Sequence, residues 1–107
     1  MALPVIATNW SGPTAFLTPA NGYPLAIDGL VTVADGPFRK HHKWANPNVG
    51  HLEALMKEVV ADPAAANAKG VRARATMQSS FTPEKVGQLT LERLRIIRKK
   101  LEEDGAL

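Results

Sequence analysis

The side chains best suited to chemistry lie in one short polar stretch, Thr8-Asn9-Trp10-Ser11-Gly12, which closes the apolar run starting at Leu3. Small hydroxyls, a carboxamide and a glycine with free backbone N–H groups are what a protein uses to hold a phosphate, not to break a bond. The other concentrations of polar chemistry are basic. Arg39-Lys40-His41-His42-Lys43 is the densest cationic run, and Arg93, Arg95, Arg98, Lys99 and Lys100 gather late in the chain. Neighbouring histidines rarely aim at one ion, and no carboxylate is close in sequence, so the first run reads as a solvated loop and not a metal site. The late cations suit the negative end of a helix, at about a few tenths of a kcal/mol each. No aromatic residue stands among them, so single-stranded nucleic acid has no stacking platform there. The chain has no G-x-S-x-G, no phosphate loop ending in Lys-Ser/Thr, no metal motif and no paired-carboxylate signature. No catalytic residue and no metal ligand is therefore assigned.

These residues need elements to position them. Leu3-Pro4-Val5-Ile6-Ala7-Thr8 is a short β-branched, apolar run that ends in turn residues, which predicts a buried strand of a parallel sheet. Ligands of open α/β sheets bind beyond the carboxyl ends of such strands, which makes Thr8, Asn9, Ser11 and Gly12 the candidate binding residues. Thr14 to Leu17 can give one helical turn, and Asn21-Gly22 marks a turn. Tyr23 to Ile27 and Leu30 to Val33 predict a hairpin about Asp28-Gly29. A loop over Ala34 to Lys43 follows.

Three helices are expected after it. Asn46-Pro47, Asp62-Pro63 and Thr82-Pro83 each combine a side-chain oxygen for capping with a proline at the first helical position. The first helix is predicted from about Pro47 to Ala61, with Val49, Leu52, Leu55, Met56 and Val59 on its buried face. His51 reads as a boundary residue on it, not a base. The second spans about Pro63 to Gln78, with Val71, Ala75 and Met77 as anchors and Gly70 weakening its middle. The third spans about Pro83 to Glu103, with Val86, Leu89, Leu94, Ile97 and Leu101 on its apolar side and a stop at Asp104-Gly105. Trp10 and Trp44 read as packing residues, and Trp10 can also serve as a sugar platform.

Composition sets outer bounds. The chain has 107 residues, 45 % hydrophobic and 21 % charged, which suits one globular domain. It has no cysteine, so disulfides and thiolate chemistry are excluded. The net charge of +3 permits an acidic partner but selects none. The apolar run Ala2 to Ala7 has no basic residue before it and is far below the ~20 residues of a membrane span. The expectation is a cytoplasmic protein.

The same residues resemble a known family. Leu3-Pro4-Val5-Ile6-Ala7-Thr8 and the glycine-containing loop after it are similar to the "PVIAT" strand and loop of the group 1 retaining glycosyltransferases, glycosyltransferase family four. Trp44-Ala45-Asn46-Pro47 with His51-Leu52 and Leu55-Met56 is similar to the start of a later helix of that family. Gly70-Val71-Arg72-Ala73-Arg74 resembles its glycine-x-x-Ala-Arg helix, and Phe81-Thr82-Pro83-Glu84-Lys85-Val86 the opening of its closing helix. The four matches run in order along nearly the whole chain. The resemblance implies a GT-B fold and places residues 1–107 as a single incomplete segment of its C-terminal, donor-binding domain. That segment is a partial Rossmann-like α/β unit: strand, loop and hairpin over 1–33 and three helices over 46–104.

It implies a nucleotide-sugar donor as substrate, no further cofactor, and Thr8, Asn9, Ser11 and Gly12 as donor-binding residues. Two departures bear on activity. The family's pair of glutamates, eight positions apart, belongs to a segment ahead of the strand, and Ala15 stands where many members carry a glutamate. The acceptor domain lies outside the chain as well, so the segment is expected to be inactive alone. Its expected partner is that N-terminal domain or a second copy. The alternatives are a non-catalytic module that self-associates or docks on a partner and, less favoured, a small basic nucleic-acid binder with steep salt dependence.

Overall fold

The first strand, β1, covers only Ile6–Thr8, less than its apolar run predicts. Pro4 has no N–H for a ladder, and Leu3 and Val5 are exposed. The computed structural model describes residues 1–33 and 42–106, which form a mixed α/β structure with three helices and short strands in two small sheets. Much of the predicted loop, including Arg39, Lys40 and His41, falls outside the described residues. The chain folds as two compact units, Met1–Arg74 and Ala75–Leu107.

In the first unit, β1 pairs in parallel with β2 (Tyr23–Leu25), with Ile6 opposite Tyr23 and Thr8 opposite Leu25. The chain between them turns through a short 3-10 segment, Gly12–Ala15. Asn21 then holds the approach to β2. Its Oδ1 accepts from the Thr18 N–H at 2.7 Å and the Thr18 hydroxyl at 3.1 Å, and its Nδ2 donates to the Phe16 carbonyl at 2.8 Å. This buried carboxamide is thus engaged through both of its polar atoms, as a buried polar group must be. Gly22 follows because a Cβ there would overlap Leu17, which is buried against it.

The hairpin expected about Asp28-Gly29 does not form. Ile27–Thr32 is one strand, β3, that pairs antiparallel with β4 (Lys43–Pro47). Asp28-Gly29 is instead an irregularity in the register between Ile27 and Leu30, and Gly29 takes φ +96. A positive-φ glycine serves a bulge as readily as a turn, which is why the dipeptide misleads.

The helix α1 runs Val49–Ala61, and α2 runs Pro63–Ser80 across the boundary between the units. Asn46-Pro47 does not start α1. Both residues belong to β4, and Asn48 is the cap, its Oδ1 accepting from the His51 N–H at 2.6 Å. Asp62-Pro63 behaves as expected: Asp62 Oδ1 accepts from the Ala65 N–H at 2.9 Å. A core cluster among the described residues joins Tyr23, Leu25, Leu55 and Ala66, with Ile6, Leu52 and Val59 packed against it. Val49 and Met56, expected on this face, are 74 % and 56 % exposed. They lie with Val60 on a second apolar stripe, so three- and four-residue spacing alone does not select the inward side of α1. Nor do Val71 and Ala75 anchor α2, since both are exposed or only partly covered, while Met77 is half-buried. Ala66 and Gly70 are its buried residues. A Cβ at Gly70 would come within 2.8 Å of the Leu3 carbonyl carbon and closer still to Ala2. Gly70 is there for contact with the N-terminal backbone, and its low helix propensity is offset by that packing.

In the second unit the end of α2 leads to α3 (Pro83–Glu103). Thr82 caps α3 as predicted, its hydroxyl accepting from the Lys85 N–H at 3.2 Å. Gly105 at φ +68 follows its last turn, as the Asp104-Gly105 stop requires. No described residue of α3 is buried, so Val86, Leu89, Leu94, Ile97 and Leu101 form an exposed stripe instead of a core face. The periodicity is present, but no surface among the described residues covers it.

Candidate functional site

Thr8, Asn9, Ser11 and Gly12 come together on one turn at the carboxyl end of β1. Thr8 is half-buried and ends the strand. The Asn9 N–H donates to the Leu25 carbonyl at 2.8 Å, continuing the parallel ladder one residue further. The chain then folds back tightly, with the Trp10 N–H donating to the Thr8 carbonyl at 2.8 Å. Ser11 sits at φ 56 and ψ −134, a backbone conformation that L-residues rarely take and that costs about 1–3 kcal/mol. The Ser11 carbonyl accepts from the Thr14 N–H at 3.0 Å and the Thr14 hydroxyl at 2.6 Å, which ties the turn to the 3-10 segment.

The outward surface of this turn is open. Asn9, Trp10 and Ser11 are exposed, and a Cβ on Gly12 would meet nothing within 4 Å. Gly12 therefore has no packing reason to be glycine. The side chains of Thr8, Asn9 and Ser11 make no hydrogen bond among the described residues, so their donors and acceptors remain available to a ligand. The groups present can bind an anion or a sugar hydroxyl. None of them is paired with a base.

The carboxyl end of β2 adds a second group of residues, which sequence reasoning misses. Ala26 donates its N–H to His51 Nδ1 at 2.9 Å and accepts from the Asn48 N–H at 2.9 Å. Asn48 Nδ2 also donates to Asp28 Oδ1 at 2.7 Å. The N-terminus of α1 is thereby pinned to the end of β2 and to the bulge. An accepting Nδ1 puts the imidazole proton on Nε2, so His51 positions backbone here and is not poised as a base. The signal available in sequence is Asn48-x-x-His51, a cap one turn ahead of a side chain that can reach back; the nearby Asn46-Pro47 obscures it.

Tyr23, the first residue of β2, is 2 % exposed. The Lys69 ammonium sits 3.8 Å from the centre of its ring and 3.9 Å from a Glu58 carboxylate oxygen. Burial, with the carboxylates of Glu58 and Asp62 adding to it, pushes the Tyr23 phenol above its ordinary range. Tyr23 thus stays neutral and acts as core. Trp10 is 43 % exposed beside the candidate turn, and Trp44 lies exposed on β4 opposite Val31.

Among the described residues no group of three or more His, Cys, Asp or Glu side chains is placed to hold a metal ion, and no helix is long and apolar enough to cross a membrane. Comparison of the chain with protein-family models, with curated proteins and with solved structures finds no match.

Proposed function

We propose that the chain is a nucleotide-sugar-binding portion of a glycosyltransferase-like protein, a partial Rossmann-like unit of a GT-B donor domain that does not transfer sugar alone. The observation that supports this reading is the parallel pairing of β1 with β2, which sets the polar turn Thr8 to Gly12 beyond the carboxyl end of β1. Open α/β sheets bind their ligands at that edge. In this reading the hydroxyls of Thr8 and Ser11, the Asn9 carboxamide and the backbone at Gly12 contact the diphosphate and its sugar. The open space over Gly12 lets the ligand approach the backbone closely.

The test is a titration of the 107-residue chain with UDP, GDP and ADP, followed by amide chemical shifts. The expected affinity for the 107-residue chain is weak, about millimolar. Shifts should centre on Thr8 to Gly12 and reach Ala26. Shifts confined to the cations of α3 and abolished by salt would overturn the proposal, as would none at all.

A further inference from the structure

We propose that α3 is a docking helix for an amphipathic α-helix of a partner protein whose own flanks are acidic. The stripe on α3 is unpartnered among the described residues: Val86, Leu89, Leu94, Ile97 and Leu101 are all exposed. Leu94, Ile97 and Leu101 step by three and four residues, and Thr90 and Gly87 continue those steps toward the N-terminus. That is the narrow seam of a helix–helix pair. Val86, Leu89, Thr90 and Arg93 line an open depression with Leu94. Their spacing of i, i+3, i+4 and i+7 is the four-cornered hole that receives a knob from a facing helix.

Charge selects the partner. From Gly87 onward, every charged residue bordering the seam is a cation: Arg93 and Lys100 on one side, Arg98 on the other. Arg98 is shared with Glu102 at 2.8 Å on the helix surface. Arg93 and Lys100 make no ion pair among the described residues. A second copy of α3 is a poor occupant. Parallel pairing sets Arg93 of one copy against Arg98 of the other, and antiparallel pairing about Leu94 and Ile97 sets Arg93 against Lys100. A lipid surface is favoured less, because the seam is narrow and α3 carries no aromatic residue to seat at a headgroup boundary. Glutamates on a facing helix would meet Arg93, Lys100 and Arg98 while its aliphatic side chains cover Leu94, Ile97 and Leu101. This inference is independent of the nucleotide reading, since it involves only α3.

The experiment uses the full 107-residue chain and two labelled synthetic helical peptides of three heptads. Both have leucine and isoleucine at the seam; one has glutamate and the other lysine at the flanking positions. Fluorescence anisotropy should show the acidic peptide binding at least about tenfold more tightly than the basic one, with the gap closing as salt rises. The double substitution Arg93→Glu, Lys100→Glu should reverse that preference, and Leu94→Asp with Ile97→Asp should abolish binding of both peptides while circular dichroism stays helical. The proposal is overturned by equal binding of the two peptides, by a preference that the charge reversal leaves in place, or by neither peptide binding. It is equally overturned if sedimentation shows α3-dependent dimers that the acidic peptide does not dissociate, or if only phosphatidylcholine–phosphatidylglycerol vesicles bind.

Discussion

Gly70 lies against the backbone of Leu3, so that any Cβ there would stand 2.8 Å from the Leu3 carbonyl carbon. One glycine in α2 therefore sets how closely the N-terminal segment packs, which places β1 over the core. Gly70→Ala should destabilise the first unit by about 1–3 kcal/mol through overpacking, despite the gain of up to about 1 kcal/mol in helix propensity. Gly87→Ala provides the contrast. Nothing lies within 4 Å of a Cβ at Gly87, so that change should raise α3 stability by up to about 1 kcal/mol. Urea unfolding of the two variants against the parent checks both signs.

Ser11 carries backbone strain at the candidate turn. Ser11→Gly should stabilise the fold by about 1 kcal/mol, seen as a higher midpoint in thermal unfolding. A Cβ added at Gly12 has no neighbour within 4 Å, so Gly12→Val should leave stability nearly unchanged. If the turn holds a diphosphate, the same Gly12→Val change should remove the nucleotide-induced shifts, separating a ligand contact from a folding role.

Asn21 engages Thr18 and Phe16 through three hydrogen bonds. Asn21→Leu deprives the Thr18 N–H and the Phe16 carbonyl of that partner. The expected loss is about 0.5–1.5 kcal/mol for each hydrogen bond removed. Amide hydrogen exchange should accelerate at Gly22 and Tyr23, where the turn enters β2.

Tyr23 predicts a response to alkali. Its phenol is raised in the folded protein, so the native state holds its proton more firmly than the unfolded chain does. That stability is fully present below the unfolded value of about 10 and is lost as pH rises through the higher folded value. Alkaline unfolding should be cooperative with phenolate absorbance, and Tyr23→Phe should remove that component of the pH dependence.

Capping and turn chemistry are legible in the sequence because they act over a few residues. Asp62 and Thr82 each reach the N–H three positions on, and Gly105 relieves its own backbone. The polar turn from Thr8 to Gly12 is legible for the same reason, and so is the extent of α3. The strand partners are not, because pairing joins Ile6 to Tyr23 and Val31 to Trp44 across intervening chain that carries no mark of its partner. Asp28-Gly29 suits a hairpin and a bulge equally.

The sequence by itself determined where α2 and α3 begin, where α3 stops, and which small polar groups follow β1. Only the tertiary structure decided that Leu55 faces the core while Met56 faces out, that His51 holds Ala26, and that α3 keeps its apolar stripe uncovered. The physical reason is one of range. A cap is settled by atoms within one turn of helix, whereas burial is settled by whatever surface the rest of the chain brings to that face.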